Sequence, residues 1–352
     1  MPADDVLRSL LTAPGPSGYE QGAARAFRRA CEAFGAEVTS DVAGSTVARV
    51  AGTEGGLTVA VVGHIDEIGL IVHHIDDKGF LWFAGVGGWD PAILVGQRVV
   101  IDTRDGPIRG VVGKKPIHLL KEEERTKAPK LEDLHIDIGA RDGDDARARV
   151  RVGDAAVVDV EPVELPNDRL ASRSLDNRLG CYVACEAARL VAQAGGAPGD
   201  VYAVGVSQEE ITLGGAHTTA YSLRPDVAVV VDVTFETEAP GSEEKELGKH
   251  PFGSGPQITR GSTLHPVVTE RLLEAGEAAD IPFTVMASAR ATWTDADAFH
   301  ISRAGIPCGL VSVPVRYMHS PVEMCQLDDV HNTARLIAAF ARRLPTELDF
   351  RR

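Results

Sequence analysis

Residues 59–72 read VAVVGHIDEIGLIV. The β-branched and small apolar residues at its start have the character of a strand buried on both faces, yet the run leads straight into His64, Asp66 and Glu67. An ionised carboxylate costs several kcal/mol to bury unless something pairs with it. The stretch therefore predicts a core strand ending at a place where a partner neutralises acids.

Other apolar runs end in the same way. LTVAVVG leads to His64 and Asp66, VYAVGVSQ to Glu209 and Glu210, DVAVVV to Asp232, and CGLVSVPVRYM to His319. In open α/β sheets ligands bind beyond the carboxyl ends of the strands, so four segments are expected to meet at one edge. Asp176 joins them from SLDNR, the turn opening a helical pattern in which Leu175, Leu179, Tyr182, Val183, Glu186, Ala187, Leu190 and Val191, nearly all apolar, recur at three- and four-residue steps before a Gly pair. An acid there sits near the positive end of the helix.

Two imidazoles and several carboxylates without thiolates suit a divalent metal such as Zn, Mn or Co, and one shared carboxylate could bridge two ions about 3.5–4 Å apart. Metal cations are then the expected partner of the buried acids. His64 and Asp66, two positions apart on a strand, face the same side, so Asp66 can orient the imidazole. Glu209 and Glu210, if extended, point in opposite directions, which lets one bind metal while the other takes a proton from water. Singly, each motif has an ordinary explanation: a hydrogen-bonded core histidine, a solvated acidic face, a helix cap at Asp232. Their joint occurrence at strand ends favours a metal centre. Asp295, in TWTDADAFH, is read as the cap of a following helix, with a place in the pocket wall as the alternative.

The remaining chain frames this site. VLRSLLTAP and EQGAARAFRRACEAFG carry helical spacing, so the first sixty residues read as helix, helix, strand. From about residue 73 to 165 short alternating runs separated by DG and GD turns indicate a small antiparallel β unit, with KEEERTKAPK as an exposed loop. Long helices then alternate with short strands again. The expected organisation is a discontinuous α/β domain, 1–70 and 166–352, with a β domain inserted at 71–165. With 352 residues, 44% hydrophobic and 25% charged, the chain can bury two ordinary cores. A net charge of -15 argues against nucleic-acid and anionic-membrane partners, and no apolar run approaches the roughly 20 residues that span a bilayer. Five cysteines without a CxxC pair, and no signal-type stretch, point to a reduced, cytoplasmic protein.

In their order and separations, GHIDEIG, SLDNRLG, SQEE, VVDVT and YMHSPVE resemble the dinuclear metallo-aminopeptidases of peptidase family forty-two, the tetrahedral (TET) aminopeptidases. GVGGWDPAILVGQRVVI and GVVGKKPIHL extend the likeness through the inserted unit, so it covers essentially the whole chain. The resemblance implies an α/β zinc-peptidase-like core, a mixed sheet flanked by helices, with a small inserted β-barrel used in assembly. It implies two divalent ions per subunit, Zn or Co or else Mn: one held by His64, Asp176 and Asp232, the other by Asp176, Glu210 and His319. Glu209 would be the general base and Asp66 the residue orienting His64. Short peptides would be trimmed from their N-termini inside twelve-subunit particles. The chain departs from the family pattern at Trp293, where relatives carry Gly, and in the loop after Glu210. Two other readings share these residues: a deacylase acting on N-acyl amino acids, and a non-catalytic assembly protein with a vestigial site.

Overall fold

The computed structural model describes residues 3–351. Two helices, Asp5–Thr12 and Gln21–Glu32, precede the strands β1 (Glu37–Ser40), β2 (Thr46–Val50) and β3 (Val59–His64). The sequence reading foresaw the two helices, one strand after them and then β3; the structure has a hairpin of two strands, β1 and β2, where one was expected. That hairpin is an edge feature whose first strand is largely exposed, and its turn is shaped by the Asp41 carboxylate, which accepts from the Ala43 and Ser45 amides at 3.0 and 2.9 Å.

Six strands then close a barrel: β4 (Gly69–Ile75), β5 (Leu81–Val86), β6 (Arg98–Asp102), β7 (Ile108–Gly113), β8 (His135–Asp137) and β9 (Ala155–Val158), in the order β4-β5-β8-β7-β6-β9. Alternation puts Leu70, Val72, Leu81, Phe83, Val99, Ile101, Val112 and Ile136 into its interior. The KEEERTKAPK stretch is surface, as expected, but contains a helical turn at Glu122–Arg125.

The chain returns to the main sheet at β10 (Val163–Leu165) and β11 (Arg169–Ser172), and continues through β12 (Val201–Val206), β13 (Val227–Phe235), β14 (Gln257–Gly261), β15 (Thr284–Ser288), β16 (Cys308–Arg316) and β17 (Glu323–Gln326). Among the described residues this mixed sheet has eleven strands, ordered β1-β2-β12-β3-β13-β16-β17-β11-β10, with β14 and β15 branching from β16. Its centre, β12-β3-β13-β16, is parallel. Helices cover both faces, which is why β3 is apolar at consecutive positions: Val59 and Val61 enter one core, Ala60 and Val62 the other.

One close approach positions the site. The helix Leu175–Gln193 crosses β3 at a glycine pair, and a Cβ on Gly63 would fall 2.4 Å from the Gly180 carbonyl carbon. Only Gly at these positions lets the helix backbone lie this near the strand, which brings the helix start beside the end of β3. Among the described residues no helix is long and apolar enough to cross a membrane.

Candidate metal centre

His64 is the last residue of β3 and pairs with Val206, the last of β12. Asp232 lies on the next parallel strand, β13, two residues beyond the Val230–Val62 pair, so the register alone sets Asp232 beside His64. Asp176 arrives from the start of the crossing helix, which is not helical there. Asp176 and Asn177 have ψ of 106° and 45°, and the peptide between them is cis. The Asn177 amide donates to the Val231 carbonyl at 2.8 Å and its oxygen accepts from the Gly180 N–H at 2.8 Å. This pins the turn to β13, and the Asp176 Oδ1 lies 3.1 Å from His64 Nε2.

Glu209 and Glu210 do not follow β12 as an extended pair. The strand ends at Val206, Gln208 takes a left-handed conformation (φ 60°), and Glu209–Thr212 forms one helical turn. The two amides at its start donate to Asp66, Glu209 N–H to Oδ1 and Glu210 N–H to Oδ2, each at 3.1 Å. Both glutamates therefore reach the same cluster: Glu209 Oε2 lies 3.7 Å from His64 Nε2, and Glu210 Oε1 lies 3.4 Å from His319 Nε2. His319 stands in the loop after β16, its Nε2 also 3.5 Å from Asp176 Oδ2. Its Nδ1 lies 2.9 Å from the Gly88 carbonyl, in the segment leaving the barrel strand β5. A proton on Nδ1 donated to that carbonyl leaves Nε2 as the bare nitrogen facing the acids.

All the site residues singled out in the sequence are thus brought together. Ligand-type atoms of His64, Asp176 and Glu210 lie within 4.8 Å of one another, as do those of His64, Glu209 and Asp232. Nitrogen and carboxylate oxygen at such spacing form a donor set that fits divalent first-row ions. The charge balance agrees. Burial pushes Glu209 up to about 10, with Asp232, Asp295 and Glu210 adding repulsion. Burial likewise raises Asp232 and Glu210, with Asp176 contributing to both. His319 is raised to about 11 by its contacts with Asp176 and Glu210. His64 is raised despite burial, through Glu209, Asp176 and Asp66. Without a cation, this many acids must hold protons that a divalent ion would replace.

Asp66 and Glu67, the acids in the opening stretch, turn out to have partners in the protein itself, which corrects the expectation that metal neutralises them. Asp66 accepts from the Ser17 hydroxyl at 2.6 Å, from the two amides above, and faces His64 Nδ1 at 3.4 Å, so it does sit where it can orient that ring. Glu67 pairs with Arg173 and, at 3.2 Å, with Arg178, and accepts from the Gly15 amide at 3.1 Å. Arg178 is fully buried and also donates to the Leu10 and Ala13 carbonyls.

Two further acids were not assigned this way from the sequence. Glu323, quoted within YMHSPVE but given no role, accepts from the Asp176 amide at 3.1 Å and the His319 amide at 2.8 Å, so one buried carboxylate fixes the backbone of two site residues. Asp295 precedes the helical turn Ala296–Phe299 but makes no side-chain cap bond. The carboxylate that ties the loop is Asp297, which accepts from the Thr292 amide and hydroxyl and from the Trp293 amide. Asp295 is instead completely buried, with no hydrogen-bond partner on either oxygen among the described residues. Burial pushes its carboxyl up to about 7.

The chain and its fold match known proteins. Residues 44–336 match the M42 glutamyl aminopeptidase family. A putative aminopeptidase of Acetivibrio thermocellus is 35% identical, over 95% of this chain and 96% of that protein. The solved structure of a TET aminopeptidase from the marine sediment archaeon Thaumarchaeota archaeon SCGC AB-539-E09 superposes with a TM-score of 0.90 at 33% identity, covering 97% of this chain and 96% of that one. The TET1 peptidase of Pyrococcus horikoshii, described as able to assemble into a tetrahedron or a large octahedral shell, gives 0.85 at 29% identity, covering 97% and 99%.

Proposed function

This chain belongs to the M42 glutamyl aminopeptidase family, a hydrolase of the aminopeptidase class, and from that premise we propose how its site works and on what. The substrates are short peptides with a free N-terminal amine. The observation that carries the reading is the convergence of His64, Asp176, Glu209, Glu210, Asp232 and His319 from five separate segments into one buried cluster.

His64, Asp176 and Asp232 would hold one ion, and Asp176, Glu210 and His319 the other; Asp176 is the residue whose two oxygens face the two histidines. Zn or Co, or else Mn, suits these donors. Bound there, two divalent ions supply Lewis-acid polarisation of the scissile carbonyl and acidify water. Glu209 does the proton work. It takes the proton of the attacking water and returns it to the leaving amine, a task for a carboxylate that lies 3.7 Å from His64 Nε2 and that the bound cations would keep ionised. Asp66 holds the His64 ring from behind, and the Gly88 carbonyl does the same for His319.

The catalytic unit in this reading is 1–70 with 166–352, and 71–165 is the inserted unit; barrel strands that run from Gly69 to Val158 support this, while β10 (Val163–Leu165) already pairs in the main sheet. The barrel serves assembly, and the particle is a twelve-subunit homo-oligomer. The likeness to assembling TET peptidases supports this. A cytoplasmic location is supported by five free, buried cysteines. The deciding experiment is metal analysis of the purified protein followed by assay on peptides with free and acetylated N-termini. Two ions per chain with cleavage only of the free-amine peptides is expected; preference for blocked substrates would replace the aminopeptidase with a deacylase. Light scattering reads the assembly, and a monomer mass would remove the dodecamer.

A further inference from the structure

Asp295 is an acid near the centre whose two carboxylate oxygens are both buried and have no hydrogen-bond partner among the described residues. It sits in the loop before Ala296–Phe299, whose residues Ala296, Ala298 and Phe299 pack into the apolar core beneath β3 and β13. On the other side its electrostatic neighbours are His64 and Asp66, and it acts in turn on Glu209, Asp232 and Cys181. The nearby donors are spoken for: His64 Nδ1 faces Asp66, His64 Nε2 faces Asp176 and Glu209, and the Ser17 hydroxyl and the Glu209 and Glu210 amides go to Asp66. A fully buried carboxylate without a donor is unfavourable in the protein by itself, and the charges it interacts with include His64 and Asp232, in one half of the centre.

We propose that Asp295 is a positioning residue of the His64–Asp232 half of the centre: a buried charge that the chain leaves uncompensated and a bound divalent cation offsets. It favours loading of that position and costs stability when the position is empty. The inference rests on the two-ion reading of the site. It adds a residue outside the five proposed ligands, one whose effect has opposite signs in the loaded and the metal-free protein.

The test uses the full chain with Asp295→Asn, which keeps the shape and removes the charge, and Asp295→Glu, which keeps the charge. Affinity for Zn is measured by competition with a chelator, and melting temperature is measured with and without metal. Asp295→Asn is expected to lose about 10- to 100-fold in affinity for one of the two ions, the size typical of groups just outside the ligands. Its metal-free melting temperature should equal or exceed that of the unaltered chain, and Asp295→Glu should recover part of the affinity. An ordinary structural role would lower both melting temperatures and leave ion affinity alone. Unaltered affinity for both ions overturns the proposal. So does a metal-free Asp295→Asn chain that is less stable or fails to fold, because the carboxylate would then be stabilising without a cation. Peptide cleavage enters none of these readouts: two bound ions without aminopeptidase activity would defeat the functional reading and leave this one standing. A protein that binds no divalent ion would remove the centre itself.

Discussion

Two buried charge clusters lie side by side at the end of β3, and they are balanced differently. Around Glu67 the chain supplies its own counter-charges, with two guanidiniums, Arg173 and Arg178, and a backbone amide on one carboxylate. Around His64 it does not. Four acids, Asp176, Glu209, Glu210 and Asp232, share two imidazoles, and among the described residues no Lys or Arg pairs with any of them. The difference separates architecture from chemistry. A closed ion cluster fixes the N-terminal segment onto the sheet, since Arg178 and Arg173 also hold the carbonyls of Leu10, Thr12 and Ala13. An open one demands a cation from outside and concentrates a field where water can be activated.

The largest expected effect lies on the open side. Glu209→Gln keeps the volume and removes the carboxylate proposed as the base, so turnover should fall about 10²- to 10⁴-fold while metal content is unchanged. A near-normal rate in that variant would take proton transfer away from Glu209. The next effect lies on the closed side. Arg178→Met strips Glu67 of one partner and leaves the Leu10 and Ala13 carbonyls without their donor. Breaking a buried pair from one side costs about 3–5 kcal/mol, readable by urea unfolding. The loss should be the same size with and without metal. If added Zn restored the stability, the two clusters would be one system and the contrast between them would fail.

Much of the open cluster is legible in the sequence because apolar runs lead to it, although only His64 closes its strand: β13 carries on past Asp232 to Phe235, and His319 lies in the loop after β16. His64, Asp232 and His319 all follow such runs. The closed cluster is not legible, because Arg173 and Arg178 lie over a hundred residues from Glu67, and no local pattern tells a structural arginine from a surface one. Glu209 and Glu210 were readable as residues but not as geometry. The left-handed Gln208 and the two amides bound to Asp66 make a helical turn where the sequence suggests extension. Asp295 and Asp297 show the same limit: both sit at the start of a short helical turn, and only packing decides which one ties the loop. Asp66 links the two clusters, and its replacement sharpens the comparison. Asp66→Asn weakens the orientation of His64 and the seat of both glutamate amides, so ion affinity on the His64 side should fall about 10- to 100-fold with the Glu67 cluster left in place. A drop in stability as large as that of Arg178→Met, without a change in ion affinity, would assign Asp66 to the closed side instead.

The smallest effect per unit change is in pH, and it has a definite sign. Burial, with Asp232, Asp295 and Glu210, raises folded Glu209 to about 10, against about 4.3 in an unfolded chain. Its contribution to stability is therefore complete below about pH 4.3 and declines as pH climbs toward 10, because the folded chain keeps a proton that the unfolded chain has lost. His319, raised to about 11 by Asp176 and Glu210, and His64, raised against its burial by Glu209, Asp176 and Asp66, act in the same direction once the pH passes the ordinary histidine value of about 6.5. Asp176 is lowered, despite burial, by His319 and His64; its contribution is lost only in acid, below this window. The metal-free chain should therefore lose stability between about pH 7 and 9, by at most about 1.4 kcal/mol per pH unit for each group. Saturating Zn displaces those protons and should flatten or reverse the trend. Arg178→Met leaves the acids and imidazoles around His64 in place, so it should shift the whole profile downward without changing its tilt. A metal-free profile that is level or rises over this range would mean that the acids around His64 are already neutralised by the protein, as Glu67 is.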